Sequence, residues 1–276
     1  MILLDVHALM LMYLVLRHAF LPQYLHTVIM ALTSKRFCQV RLLLCVFFFI
    51  FGDVAPVLAA SFGVSPVRIF MGPKNRVIAV TLSNEGDSEI ILQADIYTWS
   101  QSGEGKDVLN LSDDLILAPP IFKLAPNTSQ TVRMALLMPI DLTRQLTYRL
   151  IVNTVPQESA TSSANFEIPI GLAMSIPIFV TPPLSERSLN CSLQRNEEML
   201  VTAQCDNSGT AYAQIREMSL LVNDETQSNL KTSSYLLPGA KKPYLLKSEK
   251  AIPAGAATLR IVYDAGKSED MLLTIP

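Results

Sequence analysis

Few residues of this chain could build a catalytic or metal site, and they are unevenly placed. Its three histidines, His7, His18 and His26, fall within the first 29 positions, and two of its four cysteines, Cys38 and Cys45, precede position 60. Beyond position 60 there is no histidine, which excludes Ser-His-Asp and Cys-His machinery there and any zinc site that needs imidazole. Asp113 and Asp114 are adjacent carboxylates that could in principle move a proton, but in a loop such a doublet reads as a solvated turn. Gly103-Glu104-Gly105-Lys106 lacks the preceding strand and following helix of a phosphate cradle. The remaining cysteines, Cys191 and Cys205, have neither Cys-x-x-Cys spacing nor a nearby histidine to tune a thiol, so a structural disulfide is preferred to a reactive pair. A net charge of -2 with 17% charged residues and no basic cluster argues against nucleic-acid binding.

The elements that must carry whatever function remains are strands. Lys35, Arg36 and Arg41 precede an apolar run at 42–51 and the small residues Ala55, Ala59, Ala60 and Ser61, the order of an export signal cleaved after Ala59 or Ala60. Residues 1–29 have no place in a simple signal and leave two readings open, a start assigned too early with Met30 as the true start, or an N-terminal anchor. From Phe62 onward, alternating or β-branched runs separated by turn residues predict an all-β sandwich architecture. Strands are expected at 64–70, 77–83, 90–99, 129–136, 148–155 and 166–180. After Thr181-Pro182-Pro183, whose prolines cannot donate to a ladder, further strands are expected at 188–193, 199–205, 211–222, 234–237, 242–246, 257–263 and 270–275. The organisation expected is a leader at 1–59, a first sandwich at 60–181 and a second at 182–276, with Cys191 and Cys205 facing each other across a hairpin near Asn196.

One expected strand stands out. From Phe166 to Ile178, the residues Phe166, Ile168, Ile170, Leu172, Met174, Ile176 and Ile178 share one face, and Pro169 and Pro177 favour an edge position. The length exceeds the five or six residues usual in a sandwich. Periodicity alone leaves core packing and an exposed edge that recruits a partner's strand both open.

Several motifs together resemble the periplasmic chaperones of the chaperone-usher pilus pathway, in particular the archaic, spore-coat-like branch. They are Val64-Ser65-Pro66-Val67-Arg68-Ile69, Thr81-Leu82-Ser83-Asn84-Glu85-Gly86, Trp99-Ser100-Gln101, Pro119-Pro120-Ile121-Phe122, Gln130-Thr131-Val132-Arg133, Tyr148-Arg149-Leu150 through Val155-Pro156, Ile176-Pro177-Ile178-Phe179-Val180, Asn207-Ser208-Gly209-Thr210-Ala211 and Tyr235-Leu236-Leu237-Pro238-Gly239-Ala240. The resemblance implies two immunoglobulin-like β-sandwich domains with a cleft between them, periplasmic location, pilin subunits and an outer-membrane usher as partners, and no enzyme activity, cofactor, metal or small-molecule substrate. It implies that the long strand complements an incomplete pilin, with Ile168, Ile170, Leu172 and Met174 as donor residues. It also implies that Arg68 helps to anchor the pilin's terminal carboxylate. The family's donor-strand lysine falls at Pro177 and its arginine before the linking proline at Thr181, so the usual anchor and interdomain ion pair are incomplete here. Arg149 is the candidate substitute cation. An extracytoplasmic structural or adhesive module of the same fold, without a client, is the competing reading.

Overall fold

The structure, a computed structural model, describes residues 62–141, 143–156 and 171–276. The expected leader and the early part of the strand expected at 166–180, including Ile168 and Ile170, lie outside the described residues. Among the described residues the regular structure is all β. The first ten strands are β1 (Phe62–Ser65), β2 (Ile69–Met71), β3 (Val77–Asn84), β4 (Ile90–Gln101), β5 (Asp107–Leu111), β6 (Leu115–Ala118), β7 (Ile121–Leu124), β8 (Ser129–Leu136), β9 (Leu146–Val155) and β10 (Ala173–Val180). They form two sheets, ordered β1-β3-β8-β6 and β2-β10-β9-β4-β5, with β7 also paired to β4. Alternation accounts for the packing: Val80 and Leu82 of β3, Val132 and Met134 of β8, Leu92, Ala94 and Ile96 of β4, and Tyr148, Leu150 and Val152 of β9 meet in one core.

The second sandwich comprises β11 (Leu189–Glu197), β12 (Leu200–Asn207), β13 (Ala213–Val222), β14 (Glu225–Leu236), β15 (Lys241–Lys247), β16 (Gly255–Tyr263) and β17 (Ser268–Ile275). Its sheets run β11-β12-β15 and β14-β13-β16-β17 and share no strand with the first sandwich. Edge strand β15 carries Lys241, Lys242, Pro243 and Lys247, residues that discourage pairing with another chain.

Three strand expectations are corrected. The strand expected at 64–70 is two strands, because Pro66 cannot donate to a ladder and the chain changes sheets there: β1 pairs antiparallel with β3, whereas β2 pairs parallel with β10. The chain changes sheets again across Pro119-Pro120, so β6 lies on β8 and β7 on β4; neither of these short strands, nor β5, was expected. The strand expected at 234–237 is the end of the twelve-residue β14, an edge strand whose polar composition hides it from an apolar pattern.

The two sandwiches reuse one buried turn. Asn84, 2% exposed, donates Nδ2 to the carbonyls of Leu124 and Ala125 and accepts from Gly86 N; Asn207, 1% exposed, donates Nδ2 to Ala211 and Leu236 and accepts from Gly209 N. Each amide thus satisfies backbone groups from a second segment in a place closed to water. A side chain at Gly209 would overlap the Ser188 amide and the Glu186 carbonyl.

Cys191 and Cys205 are directly opposite on β11 and β12 and form a disulfide, with Cys205 fully buried. Closing a loop of this size restricts the unfolded chain by about 3 kcal/mol. Replacing both cysteines by alanine is therefore expected to lower unfolding free energy in urea by about 2–4 kcal/mol; an unchanged denaturation midpoint would show that the link adds nothing.

Candidate functional site

β10 positions the candidate site because its two faces and two edges meet different surroundings. On one face, Ile176, Ile178 and Val180 pack in the first core. Leu172 and Met174 continue that face but are 38% and 37% exposed. On its inner edge β10 pairs with β9 over its full length, and Thr154 N extends the ladder by donating to Leu172 O at 2.9 Å. On the outer edge β2 pairs only with residues 178–180. Among the described residues, no strand pairs with the outer edge of residues 173–177. The opening follows from the sheet change at Pro66, which sends β1 to β3 instead of along β10.

The opposite face carries the charges. Register places Pro177 beside Arg149, and Arg149 beside Tyr97. Arg68 immediately precedes Ile69, which pairs with Ile178, so Arg68 sits level with Pro177. The outer edge therefore ends between two guanidinium-bearing positions, although the side chains have different surroundings. Arg68 donates to Asp264 Oδ2 at 2.6 Å, Gln214 Oε1 at 2.6 Å and Tyr212 OH at 3.3 Å, all on the second sandwich. Burial opposes its charge, but the Asp264 hydrogen bond and the neighbouring tyrosines prevail, and its pKa is raised.

Arg149 lies over Trp99, its guanidinium carbon 3.6 Å from the ring centroid, and faces Tyr235 at 5.6 Å. Its nearest carboxylate, Asp107, is 3.7 Å away and well exposed. Burial lowers the Arg149 pKa, with Asp107 and Tyr235 only partly opposing that shift. A largely desolvated cation whose one carboxylate partner is a long, exposed contact is a suitable receptor for an anion.

Between these cations, Phe179 stacks on Tyr212 at 3.9 Å and neighbours Phe70, Trp99 and Tyr235. Trp99 and Phe179 belong to the first sandwich by chain position, yet pack with the core of the second. Leu172 and Met174 thus lie at the start of β10 on its core face, and both arginines lie level with Pro177 on the opposite face. Asp114 has a structural partner, since Tyr148 OH donates to it at 3.0 Å.

Sequence reasoning did not find Asp264, Gln214, Tyr212, Trp99 or Tyr235 as parts of this site. The available signal was Ile178-Phe179-Val180, three consecutive apolar residues where a one-sided strand should alternate. An ion pair between the sandwiches, in doubt because Thr181 replaces an arginine, is present as Arg68–Asp264.

With this geometry in hand, comparison with known proteins finds that residues 61–185 match the family described as pili and flagellar-assembly chaperone, PapD N-terminal domain. The chain is 25% identical over 127 residues to the probable fimbrial chaperone LpfB of Escherichia coli O157:H7, covering 46% of this chain and 52% of LpfB. It therefore spans about half the length of this curated relative. Similar solved structures include a chain of the CsuC–CsuE chaperone-tip adhesion subunit pre-assembly complex from archaic chaperone-usher Csu pili of Acinetobacter baumannii, with 20% identity, coverage of 79% of this chain and 100% of that one, and a TM-score of 0.58. The E. coli chaperone DraB gives 16% identity, 79% and 97% coverage and a TM-score of 0.52. A chain of the Salmonella enterica SafA pilin–SafB chaperone complex gives 15%, 78% and 96%, and 0.51. These likenesses show the fold, two immunoglobulin-like β-sandwiches.

The contact between Arg68 and Asp264 can be measured directly. A double-mutant cycle with Arg68→Ala and Asp264→Ala is expected to give a coupling of about 1 kcal/mol, modest because both side chains retain some solvent access. Zero coupling would mean that the pair contributes nothing in solution.

Proposed function

We propose that this protein is a periplasmic chaperone that holds pilin subunits by donor-strand complementation and passes them to an outer-membrane usher. The observation that carries the reading is the open outer edge of β10 at residues 173–177, beside which Leu172 and Met174 continue a core face into solvent. Unpaired, apolar edges are hazards that folded proteins normally cover, so retention of one points to strand addition. The match at 61–185 and the similarity to LpfB support the same role. We assign the leader to residues 1–59 and the two domains to 60–181 and 182–276. Pro177, in the position of the family's lysine, favours the archaic branch.

The geometry defines how a client would lie. A strand added along β10 must stop where β2 begins, at Ile178, and there it meets the row that contains Arg68 and Arg149. A client ending in its carboxylate at that point runs parallel to β10. Ile168, Ile170, Leu172 and Met174 would fill its gaps, each burial contributing about 1.5–3 kcal/mol. Arg149 is the cation less committed within the chain and receives the carboxylate, with Arg68 contributing donors beside it. Capture needs no cofactor or bond-making chemistry.

The test is co-expression with a pilin subunit lacking its last strand. A soluble one-to-one complex is expected. Combining Leu172→Asp with Met174→Asp should weaken it by at least about a hundredfold, because two pocket-filling side chains are lost, while leaving thermal unfolding nearly unchanged. Full retention of binding by that variant would overturn strand donation and favour a structural module without a client.

A further inference from the structure

We infer that Gln145 is the positioning residue that sets the angle between the two sandwiches, assisted by Gln101, and thereby fixes the shape of the cleft. The part of this inference that concerns client capture rests on the strand-donation reading; the part that concerns the angle does not. Gln145 is only 5% exposed and immediately precedes β9, four residues before Arg149. It is bonded to three residues on two segments of the chain. Its backbone N donates to Thr210 O at 2.9 Å, its side-chain Oε1 accepts from Tyr212 N at 3.0 Å, and its Nε2 donates to Thr181 Oγ1 at 2.8 Å. The first two partners belong to the second sandwich, and Thr181 begins the linker after β10.

The amide orientation is determined by these partners. Tyr212 N can only donate, so the oxygen must face it and the nitrogen must face Thr181. Rotation of one sandwich against the other would break this set in a place closed to water, where unpaired polar groups are strongly disfavoured. Thr181 thus joins an uncharged relay from the linker through Gln145 to the second sandwich.

Gln101 repeats the arrangement at the end of β4. Its Nε2 donates to Tyr235 O and its Oε1 accepts from Leu237 N, both at 3.0 Å, so the side-chain amide pairs with the end of β14 as a neighbouring peptide group would. The two glutamines line the same cavity with Trp99, and each bonds the backbone of a tyrosine in the aromatic contact formed by Trp99, Phe179, Tyr212 and Tyr235. Ring contacts can slide, whereas the amide hydrogen bonds beside them are directional and weaken steeply as their angle changes. Arg68 stands on the first sandwich and its acceptors on the second, so the angle set here decides how those acceptors hold its guanidinium.

The experiment uses the complete mature protein, its disulfide intact, with spin labels at two exposed positions through Asp87→Cys and Glu249→Cys. The unsubstituted background should show one narrow inter-label distance distribution. Gln145→Ala should at least double its width and weaken capture of the co-expressed pilin subunit at least tenfold. Gln145→Glu, which retains the acceptor for Tyr212 N and loses the donor to Thr181, should give an intermediate width. Thr181→Val provides a second route if Gln145→Ala does not fold: it removes one acceptor without changing side-chain size and should also broaden the distribution. Distributions unchanged in every folded variant would overturn the inference, as would loss of capture at unchanged width, because Gln145 would then act on the client directly. Failure of the unsubstituted protein to capture any subunit, with broadening by Gln145→Ala intact, would remove strand donation and leave the positioning role standing.

Discussion

The structure depends on a single strand that serves two cores. Along β10, Ile176, Ile178 and Val180 enter the interior of the first sandwich, while Phe179 points the other way and packs with the interior of the second. Strand geometry forces adjacent side chains to opposite faces, so β10 cannot shift by one residue without exchanging those interiors. Its register is therefore fixed from both sides at residues 176–180, and the same fixed register carries Leu172 and Met174 outward beyond the rim. The open-edged end of β10 is held in register by its paired end.

The open edge arises from connectivity. Pro66 interrupts the N-terminal segment, and the two short strands on either side join different sheets, leaving β10 covered at residues 178–180 and bare at 173–177. Had β1 continued beside β10, residues 173–177 would be paired on both sides and Met174 would lie on an inner strand. Elsewhere, β15 shows how this chain treats an edge it does not use, with three lysines and a proline along seven residues. The bare stretch of β10 at 173–177 has no lysine, in contrast to β15.

Much of the fold was legible because burial on one face leaves a period of two, as in β3, β8, β12 and β16. What escaped follows from the limits of that signal. β14 is polar because it is an edge, β6 and β7 are too short to display a period, and the break at Pro66 concerns which sheet a residue joins, a property local sequence does not encode. The candidate site divides similarly. Alternation put Leu172 and Met174 on one face and resemblance nominated them, with Arg68 and its substitute Arg149, but Asp264 lies 196 positions from Arg68 and has no distinguishing neighbour pattern. Gln101 and Gln145 were invisible because glutamines are ordinary on exposed strands and matter here only through a second sandwich that covers them.

The composition of the contact between the sandwiches has a consequence for the surroundings in which it can operate. Rings and side-chain amides neither titrate near neutrality nor attract counterions, and Arg68–Asp264 is the one ion pair found across that contact among the described residues. Screening by salt weakens exposed charge pairs and leaves buried neutral ones largely untouched. A protein jointed in this way keeps its shape while the ionic strength and acidity of the medium around it vary.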